Sequence, residues 1–219
     1  MYKFTDLVIA TMNRRFIGMF NRIKSLREAR EIIKAVDELY EELDEVTRKY
    51  LLLIARKIYN TINTEDWIED MAVIWLMEQL NAYDPVTKYV YTHEVDRKKA
   101  RLVEAMIASD DKPKEVETAK KLWAKQARQY ADNITEQAVL KAYSDMGIPY
   151  VRWQTEEDER VCSECARRDG VVYPRKEVPP KPHYGCRCIL IGVSDAFSER
   201  NRRTDNRDFK TRQFSGIET

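Results

Sequence analysis

Glycine is scarce in this 219-residue chain, with six residues, and histidine scarcer, with two; neither sign of charge prevails, since 38 Lys and Arg face 37 Asp and Glu. So little glycine beside a hydrophobic content of 43% suits a helical protein with an adequate core, and 25.9 kDa accommodates one large or two smaller domains. A net charge of +1 carries no bulk electrostatic footprint for nucleic acid and leaves room only for local patches. No run approaches the roughly 18 apolar residues that a membrane span needs, so a soluble chain is expected. The opening segment MYKFTDLVIATMNRR has an apolar run too short for a signal h-region and no small-residue cleavage site after it, which points to a cytosolic origin and reduced thiols. A P-loop, a GxSxG elbow and a dinucleotide fingerprint are all missing, and the enzyme classes built on them go with them.

What the chain does have is a concentration of its four cysteines within 27 residues, in the segment 153–188, WQTEEDERVCSECARRDGVVYPRKEVPPKPHYGCRC. Cys162 and Cys165 form CxxC, a spacer of twenty residues follows, and Cys186 and Cys188 form CxC with His183 three residues before it. A CxxC turn lets two thiolates reach one ion from a single knuckle, and a distant second pair completes a tetrahedral Zn2+ site, for which thiolate and imidazole are preferred donors. A pair of disulfides or free buried thiols are the competing readings; a reducing compartment disfavours the first. Cys162, Cys165 and Cys186 are the firmest ligand candidates, while His183 and Cys188 compete for the fourth place. His183 and Cys186 could share a turn around Gly185, whereas Cys186 and Cys188 share a face if CRCILIGV is extended. The group left over would support the site or pack beside it. Four protein ligands leave no open position for water, so a structural zinc is expected, supplying stability that about forty residues with so little apolar volume lack.

Trp153, Asp158, Arg160, Cys162, Cys165, Asp169, Gly170, Pro180, His183, Cys186, Arg187 and Cys188, in that order and spacing, resemble the C-terminal signature of tailed-phage minor head proteins, the head morphogenesis family that includes the F protein of Mu-like phages. The motif covers about forty residues and extends more loosely into the helical region upstream; its specificity comes from the coincidence of an aromatic, an acidic turn, CxxC, an Asp-Gly turn and HxxCxC. Tyr184 departs from the pattern, which has a Pro after the His, and this touches the turn rather than the ligand set. The resemblance implies a low-copy internal head component associated with the portal protein and the inner capsid surface, in the virion interior and, during assembly, the host cytoplasm. Several members are fused to toxin or transferase domains, for which this chain has no room.

Most of the first 148 residues reads as helix. SLRE offers a capping box from Ser25 to Glu28. Ala29, Val36, Leu43 and Tyr50 then recur every seven residues, interleaved with Ile32, Leu39, Val46 and Leu53, a heptad seam that predicts a helix of about 35 residues, packed in an intramolecular hairpin rather than an intermolecular coiled coil. A second helix is expected from an Asn63-Thr64 cap, with Trp67, Ile68, Met71, Ile74, Trp75 and Leu80 on one side, ending at Asp84-Pro85. TKYVYT (87–92) reads as a short strand or extended linker, 94–108 as helix and 109–113 as a loop. Val116, Ala119, Trp123, Ala127, Tyr130, Ile134, Ala138 and Ala142 mark a long amphipathic helix stopped by Gly147 and Pro149. Phe4, Leu7, Val8, Phe16, Phe20 and Ile23 against Arg14, Arg15, Arg22 and Lys24 could be drawn as a membrane-surface helix, although such a stripe is more often core or interface.

Past Tyr150 the pattern changes to short turns and strands, with VVYP (171–174) and CILIGV (188–193) as strands and KEVPPKP as a Pro-stiffened loop between them. The end of the chain is polar and Arg-rich, a solvated tail whose Arg200, Arg202, Arg203, Arg207, Lys210 and Arg212 offer a contact to packaged DNA, diluted by Glu199, Asp205 and Asp208. The expected fold is therefore mainly α: a long-helix helical body (1–148), a small zinc-stabilised α+β module with short strands (149–193) and a flexible basic C-terminal tail (194–219). A zinc-supported HNH-type nuclease is the main rival, but it needs a catalytic His and further metal ligands, and His93 stands alone about sixty residues before the knuckle, a capping or surface residue. A zinc-containing DNA-binding protein would want a basic recognition helix, and ARRDG after Cys165 turns almost at once. The reading that remains is a non-enzymatic phage head protein acting in assembly, with DNA packaging or ejection as further roles open to it and with apolar helical surface for a partner or for oligomerisation.

Overall fold

Helix α2 (Ala29–Ile62) runs for 34 residues, close to the length that periodicity predicts. Its buried stripe, however, is not the heptad seam. Ile32, Val36, Leu39 and Leu43 are buried as expected, after which the stripe passes through Thr47, Leu51, Ile54 and Ile58; Val46 and Tyr50 are only half-buried, Ala29 is exposed and Leu53 is 49% exposed. A straight helix drifts by roughly 20° per heptad against a strict seven-residue repeat, so positions on the core at one end rotate off it by the other. The helix also begins later than Ser25. Ile23 is 3% exposed, an anchor after α1, and the chain turns behind it with Leu26 N–H bonded to Ile23 O at 3.3 Å. That turn takes up Ser25 and leaves Glu28 as the N-cap, without a side-chain capping bond.

The computed structural model describes residues 2–84, 88–156, 160–183 and 185–195. Pro85, Thr87, Asp158, Tyr184 and the tail from residue 196 lie outside them. The described chain forms two compact units, one built on Met1–Val139 and one on Leu140–Pro182 with the residues from Cys186.

In the first unit α2 packs against α1 (Tyr2–Asn21), α3 (Glu69–Asn81) and α4 (Tyr91–Ala108), which satisfies its apolar side within the chain. The stripe of α1, Val8, Met12, Phe16, Phe20, is core rather than membrane-facing, although Leu7 is 63% exposed. Phe16 and Tyr40 meet Trp123 of α5 (Lys112–Asp145) edge-on, with centroids 6.3 and 5.4 Å apart, and the buried hydroxyls of Thr5 and Thr135 bond at 3.2 Å. Asn63 does not start α3. It ends α2, its N–H bonded to Tyr59 O at 2.8 Å and its Oδ1 accepting from Glu65 N at 3.1 Å, the local bond by which Asn makes a turn rather than a helix. Trp67 then packs between Tyr59 and Trp75, and α3 buries Ala72, Trp75, Leu76 and Leu80 while Ile68, Met71 and Ile74 face solvent, a rotation from the face expected. Tyr91 and Thr92, read as strand or linker, open α4; Tyr89 retains one bridge to Asp84. The α5 stripe follows the predicted spacing, with Ala119 alone only half-buried.

The second unit contains the end of α5, which stops at Gly147 as predicted. Gly147 adopts φ +69°, Ile148 N–H bonds Tyr143 O at 2.9 Å and Gly147 N–H bonds Ser144 O at 3.0 Å, the paired bonds of a Schellman motif. A three-stranded antiparallel sheet follows in the order β2 (Val172–Pro174), β1 (Tyr150–Gln154), β3 (Ile189–Val193). The two strands predicted are its edges. The central one, YVRWQ, carries no strand signal long enough to stand out, although Val151 and Trp153 alternate inward with no exposure. Within the same unit, a Cβ at Gly192 would stand 2.8 Å from the Tyr143 ring, so β3 lies against the helix end only because residue 192 has no side chain.

Two substitutions test this architecture by thermal or urea unfolding. Leu51→Ala should cost about 2–5 kcal/mol and Leu53→Ala less than about 0.5; equal costs would restore the heptad seam. Gly192→Val should destabilise by about 1–3 kcal/mol through overpacking against Tyr143.

Candidate metal centre

The CxxC knuckle is built by a short helix. Cys162 is the N-cap of α6 (Ser163–Arg168), and its sulfur accepts from Cys165 N at 3.4 Å, which turns both side chains toward the same side. Glu164 takes Arg167 and, through Oε1, Arg168 Nε at 3.0 Å; α6 then ends at once. Asp169 and Gly170 fold the chain back onto β1: Asp169 Oδ1 accepts from Thr155 N at 2.9 Å, Gly170 takes φ +57° and donates its N–H to Trp153 O, and Trp153 N–H bonds Val171 O at 2.9 Å. The Asp-Gly pair of the motif is thus a turn that needs an acceptor side chain followed by a residue free to enter the left-handed region.

Arg168 holds three parts together. Its guanidinium lies 5.1 Å from the Trp153 ring centroid, bonds Glu164, and donates to Pro180 O at 2.7 Å, tying the proline loop to α6 and β1. That loop delivers Lys181, which is 7% exposed and donates Nζ to Cys186 O at 3.3 Å.

The four cysteines are free thiols, which removes the two-disulfide reading, and Cys165, Cys186 and Cys188 are buried. The ligand atoms of Cys165, Cys186 and Cys188 all lie within 4.8 Å of one another, and so do those of Cys162, Cys165 and His183. Every residue singled out by the spacing therefore joins a group, with Cys165 common to both. Cys186 and Cys188 lie just before β3, in irregular backbone rather than in the strand, yet both sulfurs reach the cluster. His93 stays in the first turn of α4, exposed, and joins neither group.

The donor set fits zinc. Bonds of about 2.3 Å to one tetrahedral ion separate two sulfurs by about 3.8 Å; Cys165 Sγ and Cys186 Sγ are 3.6 Å apart. The electrostatics point the same way. Burial pushes the Cys165 thiol up to about 12. Cys186 is also raised, by its hydrogen bond to Cys188 and then by burial, while Cys188 is lowered, first by the hydrogen bond from Cys186. The Trp153 indole N–H, buried without a well-aligned acceptor, adds to the lowering of Cys188. Burial and the neighbouring sulfurs thus oppose deprotonation of Cys165 and Cys186, a penalty that a divalent cation removes. Lys181 gave no sequence signal, because a lone Lys among prolines carries no periodicity, yet it brings positive charge to Cys186.

Residues 27–191 match the family model described as Phage Mu protein F like protein. The match runs from the approach to α2 into β3, well over half the chain, and the protein belongs to that family; it is a phage head-related protein. Neither a curated protein nor a solved structure matches the chain. Among the described residues no helix is long and apolar enough to cross a membrane.

Purified protein should carry about one zinc per chain by elemental analysis. Cys165→Ser and Cys186→Ser should each lose it and expose the amides of residues 150–193 to exchange while helical circular dichroism persists. Full zinc content in both variants would reject the cluster as its site.

Proposed function

We propose that this protein is a non-enzymatic minor head protein, held inside the phage head at the portal, whose helical body makes the assembly contact and whose cysteine module is a rigid, zinc-pinned appendage. The reading rests on one observation above others: the family match spans the α2–α5 body and the thiol module together, so the two are parts of one head-related unit rather than a zinc module joined to an unrelated helix bundle. Cys162, Cys165, Cys186 and Cys188 would hold the ion, with His183 beside it. Cys188 is favoured for the fourth position because it is buried among the other sulfurs and takes hydrogen-bond support from Cys186 and Trp153. Four thiolates give a closed structural site with no position for water. The arginines of α6 are engaged within the unit, Arg167 by Glu164 and Arg168 by Glu164, Trp153 and Pro180, which argues against base reading by that helix.

Co-expression with the portal protein of the same phage should give a complex that survives moderate salt, since apolar burial is little screened, and that persists when residues 194–219 are deleted. Loss of the complex on that deletion would transfer the contact to the tail. Plasmid DNA incubated with the protein and Mg2+ or Mn2+ should remain uncut; cleavage that disappears in His183→Ala would replace this reading with the nuclease one. His183→Ala should keep the zinc and Cys188→Ser should lose it, and the reverse pattern would exchange their roles.

A further inference from the structure

Five large apolar side chains face solvent within ten residues, at α3 and its entry: Ile68, Met71, Val73, Ile74 and Met77, with Met71 58% and Ile74 57% exposed. At helical spacing Asp70, Ile74 and Glu78 form one outward row, with Met71 on one side and Val73 and Met77 on the other. α3 carries three acids and no basic residue. Glu69 is engaged by Arg56 at 2.7 Å, whereas Asp70 and Glu78 make no ion pair among the described residues.

The outward face of α1 has the opposite sign. Leu7 and Ile17 are 63% and 47% exposed, and Arg14 lies between them with Arg15 at the edge. Arg14 bonds only Thr11 Oγ1, at 3.2 Å, Arg15 lies over the Tyr50 ring at 5.9 Å, and neither meets a carboxylate among the described residues; Asp6, on the flank, is engaged by Arg128 at 2.7 Å. Gly18 sits on the same face in the last turn of α1. A Cβ there would meet nothing within 4 Å, so no packing in this chain requires a residue that weakens a helix by about 1 kcal/mol relative to Ala.

We infer that the solvent face of α3 docks on the solvent face of α1 of a second copy of this chain, the acids of one row meeting Arg14 and Arg15 beside the Gly18 notch, with Ile74 and Met71 covering Leu7 and Ile17. The two faces are different surfaces, so the contact is heterologous and lets one copy meet neighbours on both. A single pair of helix faces is a small interface, of the weak and transient class.

Sedimentation velocity on the full chain, at concentrations from about 1 to 100 µM, reads this directly. The wild type should gain mass with concentration. Asp70→Lys with Glu78→Lys should weaken the association about tenfold or more, and so should Arg14→Glu with Arg15→Glu, because like charges then face each other. Gly18→Leu, which favours the helix, should weaken it too, with circular dichroism unchanged. Mixing the two charge-reversed proteins should restore association between them. A wild type that stays monomeric, reversals that have no effect, or a mixture that fails to re-associate overturns the inference. The portal protein is absent throughout, so the outcome is independent of the portal reading.

Discussion

Buried sulfurs brought within van der Waals reach of one another set the electrostatic constraint around which the second unit is arranged. Each thiolate formed there raises the cost of the next, and burial together with the neighbouring cysteines pushes Cys165 up to about 12. The surrounding chain is arranged around that problem. The Trp153 indole N–H adds a donor beside Cys188, Lys181 places an ammonium at the Cys186 carbonyl, and the N-terminus of α6 carries Cys162. Three strands of five, three and five residues have little interior of their own. Much of what they enclose is Val151, Trp153, Leu190, Val193 and the cysteines. Polar contacts join that small interior to its surroundings, and Arg168 carries them into the proline loop through the Trp153 ring and the Pro180 carbonyl.

The thiol module was legible in its residues and not in its strands. Spacing singles out Cys162, Cys165, Cys186, Cys188 and His183 as candidate ligands, and the structure gathers them as two groups of three that share Cys165. The central strand escaped notice: YVRWQ is five residues long, follows a helix stop and has a charged residue between its two buried ones, too short a run for alternation to stand out. Arg168 was equally silent. An Arg in ARRDG reads as surface charge until the Trp153 ring and the Pro180 carbonyl are seen on either side of it.

In the helical body, element type was read correctly and orientation less so. Lengths and positions of α2, α4 and α5 followed from periodicity, and Gly147 stopped α5 where its conformational freedom predicted. The errors share a cause. Ser25 and Asn63 are both good capping residues by type, but tertiary anchors on either side, Ile23 in one case and Tyr59 with Trp67 in the other, decide which turn they serve. The rotation of α3 has the same origin: Trp67 is buried in the linker and Trp75 in the helix, and the two rings meet edge-on at 5.0 Å, a contact that turns Met71 and Ile74 outward.

The buried residues of α2 advance from Ile32 to Ile58 in seven steps of about 3.7 residues each, longer than the 3.5 of a left-handed supercoil and close to the 3.67 of an eleven-residue repeat. A helix patterned in this way would share a right-handed rather than a left-handed twist with a partner, and its stripe is already covered by α1, α3 and α4. Val46, Tyr50 and Leu53, spaced four and three residues apart, share a face beside that stripe and are only partly covered. The longest apolar pattern in the sequence is thereby spent inside one chain, and α2 keeps no long buried-type seam free for a parallel zipper.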